Sequence, residues 1–436
     1  MTTHYFRGIR QLLTMSGAPS DPVPERSLGL IEDAAFSVNA QGRVAWVGKE
    51  CEVPPEAPST HLGGAIVLPG FVDAHTHSVF AGDRTKDFAA RCAGESYQDI
   101  AARGGGIRLT VKATREASLE ALVDLAKPRL EELLAHGVTS IEVKSGYGLS
   151  LADEIRMLEA IDLLQNEGPW TLIPTLLAAH IVPDEFRDRR AAYVDMITTE
   201  LMPEVATRGL AQHVDVFCDT GAFSLDETIT ILERGRELGF GLKVHAEQLT
   251  HSGASGAAAR LGAVSADHLE HIQESDIRAM AAAGTSAVLM PAVAIFLGED
   301  HRAPARALLS AGIPVALATD CNPGSCPTRH LPMVASLGCT WLGMTPNEAL
   351  HGITCSAAQA LGLEAGSGTL TPGAAADFVT TYLPSWQHVP YRFGHNPIQD
   401  VFIAGRHVLS RPKPICGEEL DVLHSCREDL SGESPC

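Results

Sequence analysis

The sequence predicts an α/β protein, a (β/α)8 barrel carrying a small β-sandwich domain assembled from both chain ends. Three observations lead there. Eight short apolar, β-prone runs alternate with amphipathic helical patterns through the middle of the chain. Hairpin-like alternation is confined to the two flanks. Polar residues able to bind a metal or move a proton fall at the C-terminal ends of the apolar runs. Continuous apolar strands separated by helices read as buried parallel strands with right-handed crossovers, and eight such units close a barrel.

The elements follow in chain order. "SLGLIEDAAFSVNAQGRVAWVGKE" alternates around a Gln41-Gly42 turn and places the first part of the small domain within residues 1–65. The TIM-like barrel is expected over 66–370. Its strands are "AIVLPGFVDAHTH", "GVTSIEVKSG", "TLIPTLLAAH", "HVDVFCD", "GLKVHAEQ", "AVSADHLEH", "TSAVLMPA" and "IPVALATD". Helices are expected at "LADEIRMLEAIDLLQ", "LDETITILERGRELG" and "APARALLSAG", the last two closed by glycine as C-caps often are. "DFVTTYL" and "DVFIAGRHVLSRP" supply the second part of the small domain within 371–412, leaving 413–436 as a polar tail.

A chain of 436 residues, 45% hydrophobic, can bury a core of this size. Its formal net charge of -20 argues against nucleic acid and against an anionic membrane surface as partners. A small-molecule substrate is expected instead, and a homodimer is an open option. The start, "MTTHYFRGIRQLLTM", lacks the continuous apolar core of a secretory signal. "TSAVLMPAVAIFL" is too short to span a bilayer and is broken by Pro291. Ten cysteines without a CxxC pair read as reduced thiols, Cys321 and Cys326 included, so a cytoplasmic setting is expected.

"PGFVDAHTHSVF" ends the first barrel strand with His75 and His77, whose i, i+2 spacing in a strand points both imidazoles to one side. Strand five ends in His245 and strand eight in Asp320. His75, His77, His245 and Asp320 are therefore expected to bind one metal ion, zinc or iron, divalent or trivalent, since a site of imidazole and carboxylate does not discriminate strongly. Such an ion lowers the pKa of a bound water from ~16 toward ~7. Asp320 would be a long, weak ligand that also accepts the water's proton. His268, at the end of strand six, is the second candidate base, against a reading as a core histidine bonded to Asp267. Lys144, at the end of strand two, raises the rival of a carbamylated lysine bridging two metals. One metal, with Lys144 in a buried ion pair, is the preferred reading.

"PGFVDAHTH", "VHAEQ", "SADHLE" and "LATDCNPGS" resemble the amidohydrolase superfamily. "HSVFAGDRTKDFAARCAGESYQDIAARGGGI", "IEVKSGYGLS", "DVFCDTGAFS", "TDCNPGSCPT" and "PYRFGHNP" narrow the resemblance to the imidazolonepropionase family. It runs from the first barrel strand to near residue 408. The resemblance implies hydrolysis of 4-imidazolone-5-propanoate to N-formimidoyl-L-glutamate in histidine degradation. Arg84 then offers a planar fork for the propanoate. By the family's pattern Tyr147, His180, Asn322, Gly324 and Ser325 line the substrate pocket, with His180 donating to the ring carbonyl and the Asn322–Ser325 turn presenting backbone donors. The "RGGGI" run, residues 103–107, reads as a segment able to fold over the ring or as a simple linker.

Many metal-barrel deaminases carry glutamate three residues after the strand-five histidine. Here that position is Gln248, which can hold substrate by hydrogen bonds but cannot relay protons. The alternative, a ring aminohydrolase acting on a purine- or triazine-like substrate, is disfavoured on that ground. A non-catalytic scaffold is disfavoured because all four ligands are present.

Overall fold

The computed structural model describes residues 3–95 and 104–411. Two sheets organise them. Seven strands form the small one: β1 (His4–Leu13), β2 (Leu30–Val38), β3 (Val44–Lys49), β4 (Ser59–Pro69), β13 (Phe378–Thr381), β14 (Asp400–Ile403) and β15 (Arg406–Ser410). Their order is β15-β14-β13-β4-β1-β2-β3, so strands from both chain ends interleave.

The aromatic rings show how this sheet becomes a sandwich. Phe6 on β1 lies 5.6 Å from Phe402 on β14, although β4 and β13 run between their strands. In a flat sheet each step costs about 4.8 Å, so the sheet must fold over on itself. The two layers are halves of one sheet, closed on a core of Phe6, Phe36, Phe378 and Phe402. β1 was not anticipated from the sequence. A bulge between Phe6 and Ile9, with Gly8 at φ 68, breaks the alternation that would have revealed it. The boundary expected at residue 65 falls inside β4, which pairs with β13 through Ile66–Pro69.

The second sheet is the barrel: β5 (Phe71–Asp73), β6 (Val138–Lys144), β7 (Thr171–Ala179), β8 (His213–Cys218), β9 (Gly241–Ala246), β10 (Ser265–His268), β11 (Ser286–Leu289) and β12 (Val315–Leu317). These eight follow one another in sequence order and every pair is parallel. Each falls within one of the eight apolar runs. Helices Leu151–Gln165 and Leu225–Glu237 begin at Ser150 and Ser224, whose side chains accept from Asp153 N and Glu227 N. "APARALLSAG" yields only a short helix, Ala305–Ser310.

Closure happens beyond the regular ends of the first and last strands. Asp320 N donates to His75 O (3.0 Å), and His77 N donates to Cys321 O (2.9 Å). The bonds that join the barrel's edges are thus made by the residues expected to hold a metal. The expected tail, 413–436, lies outside the described residues, as does Arg103 of the glycine run.

Candidate active site

The C-terminal strand ends are conformationally unusual. Glu247 (φ 54), His268 (φ 80), Leu269 (φ 73) and Asp320 (φ 49) all occupy the left-handed region, which non-glycine residues rarely adopt. Such strain persists only where surrounding structure enforces it, and it collects at functional sites. Three of the barrel's strands, β9, β10 and β12, make this turn where their polar residues begin.

His75, His77, His245, His268 and Asp320 meet there, each no more than 3% exposed. Asp320 Oδ1 lies 3.3 Å from His77 Nε2 and 3.6 Å from His75 Nε2. The ligand atoms of His75, His77 and Asp320 fall within 4.8 Å of one another, as do those of His75, His245 and His268. His75 is common to both groups, with its ring centroid 4.4 Å from that of His245. His75 Nε2, His245 Nε2 and Asp320 Oδ1 are buried with no hydrogen-bond partner. Leaving a buried polar atom unpaired costs about 1–3 kcal/mol, so convergence of this many marks a place built for a ligand. Imidazole nitrogens and one carboxylate oxygen are the donor set of a divalent transition-metal ion.

Burial, with the Lys144 charge next, holds His75 well below the usual histidine range. Burial and the neighbouring His245 do the same to His77. Both are therefore neutral, as a ligand must be. Burial likewise depresses His268 to about 3. Its Nδ1 has no partner, and its ring lies 5.4 Å from His245 and 5.5 Å from His75. Asp267 faces elsewhere, accepting from His75 Nδ1 at 2.6 Å and from Ser265 Oγ at 2.6 Å. The reading of His268 as a core histidine tied to Asp267 is thereby replaced by an uncommitted imidazole in the site.

Beneath the histidines lies a fully buried charge network. Lys144 Nζ sits 2.6 Å from Asp215, 3.0 Å from Glu142 and 3.6 Å from Asp267. Lys243 Nζ sits 3.4 Å from Glu142 and 3.6 Å from Asp267. Lys144 is an ion-pair residue, as expected. Asp215, Glu142 and Lys243 escaped the sequence reading. Their signal was present: Glu142/Lys144 and Lys243/His245 are i, i+2 polar pairs in strands that should be apolar, so both members face the barrel interior.

Arg84 ion-pairs with Asp87 at 2.5 Å and lies against the last barrel loop, its Nη1 3.2 Å from where a Cβ on Gly324 would stand. Its Nη1 also reaches Thr110 Oγ1 at 3.4 Å. Tyr147 is buried, its ring 5.8 Å from His77 and 5.4 Å from His180. Burial and the Asp320 charge push its phenol up, so it stays an O–H donor. His180 Nδ1 pairs with Gly146 O at 3.0 Å. A carbonyl only accepts, so Nδ1 carries the proton. With burial holding the ring near a pKa of about 3, Nε2 is a lone pair. In this arrangement His180 presents Nε2 as an acceptor, where a donor was expected.

The Asn322 turn also differs from expectation. Asn322 Oδ1 accepts from Gly324 N and Ser325 N, both at 2.8 Å, and Nδ2 donates to Asp320 O at 2.7 Å. These donors are spent on the turn, which fixes the backbone of Asp320. Gln248 is half-buried at the end of β9. Glu247 turns away and caps the helix Ala254–Arg260, accepting from Ala254 N at 2.9 Å. Cys321 and Cys326 are buried free thiols, and burial pushes Cys321 up to about 12.

Comparison with known proteins gives the family. The amidohydrolase family pattern matches residues 66–408. An imidazolonepropionase of Symbiobacterium thermophilum is 44% identical over 93% of this chain and 97% of its own. One from Deinococcus deserti is 46% identical over 94% of this chain and 100% of its own. In fold, the chain is similar to a zinc-bound adenosine deaminase from Xanthomonas campestris, at TM-score 0.68 and 17% identity, covering 98% of this chain and 97% of that one. The barrel, its converging histidines and these likenesses together establish that the chain belongs to the amidohydrolase family, within its imidazolonepropionase branch.

Proposed function

We infer that the chain hydrolyses the cyclic amide C–N bond of 4-imidazolone-5-propanoate, giving N-formimidoyl-L-glutamate. The observation that carries this reading is the set of unpartnered ligand atoms on His75, His245 and Asp320, with Arg84 lying against Gly324 in the loop that follows Asp320. His75, His77, His245 and Asp320 would hold one ion, zinc or iron. Bound there, a divalent cation polarises a carbonyl and acidifies water. The single-ion count is supported by the third group of ligand-capable residues, His75, Glu142 and Asp267. The ammonium groups of Lys144 and Lys243 already fill the space between these carboxylates.

The chain's own residues do the rest. Arg84 binds the propanoate as a guanidinium–carboxylate pair, with Gly324 small enough to leave room beside it. Tyr147 donates its phenolic proton to the ring oxygen, and His180 Nε2 accepts from a ring N–H. Gln248 and Ser325 complete the pocket wall. Asp320, its pKa raised by burial, takes the proton of the attacking water and delivers it to the departing ring nitrogen as the C–N bond breaks. His268, held neutral by burial, accepts a hydrogen bond from the same water.

Gln248 opposes ammonia-releasing ring chemistry, because no carboxylate stands there to carry protons to a leaving amine. The test is turnover of freshly prepared imidazolone propanoate with parallel assay for ammonia. Ring opening without ammonia supports the reading, and ammonia release from guanine or a triazine would replace it. The described cysteines are free thiols, which suits a reducing, cytoplasmic setting.

A further inference from the structure

Two of the three metal-site histidines are backed by carboxylates, and the third is not. His75 Nδ1 faces Asp267 Oδ2 at 2.6 Å, and His245 Nδ1 faces Asp215 Oδ2 at 3.0 Å. His77 Nδ1 has no partner. Both carboxylates are wholly buried and share one ammonium: Lys144 Nζ lies 2.6 Å from Asp215 Oδ2 and 3.6 Å from Asp267 Oδ2, the oxygens that face the histidines, and Lys243 Nζ also lies 3.6 Å from Asp267 Oδ2.

We propose that Asp215 and Asp267, clamped together by Lys144, are positioning residues that fix His245 and His75 as Nδ1–H tautomers with Nε2 aimed at the cation. A neutral imidazole has one proton to place. A buried carboxylate at Nδ1 places it there, turns the ring, and leaves Nε2 as a lone pair, which on His75 lies 3.6 Å from the unpartnered Asp320 Oδ1. Neither aspartate touches substrate. Both act through the histidine in front of them. The proposal rests on the reading of His75, His77, His245 and Asp320 as a cation site. It extends that reading to residues two layers away.

Carboxylate partners of this kind are worth about 10–100-fold in metal affinity. Asp267→Asn and Asp215→Asn keep size and shape while removing the charge. Each is expected to raise the Zn2+ dissociation constant of the purified full chain, measured by chelator competition, about 10–100-fold. Each should also shift the visible spectrum of the Co2+-loaded protein, whereas Asp267→Glu should recover part of the affinity. A role confined to stability would lower the melting temperature of the metal-free protein and leave affinity and spectrum alone. That result would overturn the proposal, as would affinities within twofold of wild type. Should either variant fail to fold, histidine 15N spectra of the wild-type zinc protein decide. His75 and His245 both protonated at Nδ1 support the proposal, and Nε2-protonated His75 and His245 refute it. If wild type binds no metal at all, the cation-site reading itself fails first, which separates the two.

Discussion

At the scale of single residues, the account divides the site into ligands, a carboxylate fork and a proton carrier, each with its own kinetic signature. His75→Ala removes the ligand common to both converging groups, and turnover should fall at least ~10³-fold together with loss of bound metal in elemental analysis. Arg84→Ala should act on KM: losing a charge-assisted pair costs about 2 kcal/mol, roughly thirtyfold. Arg84→Lys should recover little, because a point charge does not reproduce the fork and the Asp87 pair at 2.5 Å holds the guanidinium's orientation. The convergence of His75, His77, His245 and Asp320 was legible because strand periodicity and strand ends alone assign their direction. The chemistry of His180 and Asn322 was not. Whether a ring nitrogen or an amide is free depends on which backbone group sits beside it, and Gly146 O and the 324–325 amides are placed by loop conformation rather than by sequence pattern.

At the scale of elements, the loop after β6 shows how a buried carboxylate holds the backbone around a proposed substrate contact, Tyr147. Glu154, in the helix Leu151–Gln165, accepts from Gly146 N at 3.0 Å, Gly148 N at 2.8 Å and Leu149 N at 2.7 Å, a clamp around Tyr147. Glu154→Gln turns one acceptor into a donor facing a backbone N–H, a clash worth about 1–3 kcal/mol. We expect a lower melting temperature and a raised KM, with metal content unchanged. An unchanged KM would show that Tyr147 does not depend on the clamp. The eight barrel strands could be read because buried parallel strands are short apolar runs whatever their neighbours. β1 could not: its bulge at Gly8 breaks the two-residue period, and its partners β2 and β4 are set by long-range pairing. The inward polar pairs of β6 and β9 were visible as residues, yet their meaning required knowing that β6, β8, β9 and β10 bring Lys144, Asp215, Lys243 and Asp267 to one level of the barrel.

At the scale of the whole molecule, the many neutral buried histidines make folding pH-dependent. Burial depresses His213 to about 3 and His330 and His351 to about 4, all outside the proposed ligand set. His351 Nε2 lies 3.1 Å from Ser27 Oγ, tying the helix Pro24–Leu28 of the small domain to the barrel. Because these folded values lie below the unfolded value of 6.5, the unfolded chain takes up protons first as pH falls. Their contribution is fully present above about 6.5 and is lost progressively toward pH 4, while buried Asp73 and Glu270, pushed up to about 7 and about 8, act in the opposite sense. The urea midpoint should therefore fall less between pH 7 and pH 5 in His351→Gln than in wild type, and an equal change in both would contradict the burial of this ring. The central claim, that His75, His77, His245 and Asp320 assemble around one catalytic ion, is tested most directly by titrating metal into chelated, verified metal-free protein. Imidazolone propanoate turnover and bound metal would be followed on the same sample. The account predicts no turnover at zero metal and a linear rise that saturates at one ion per chain. Full activity in the metal-free sample, or saturation only at two ions, would contradict it.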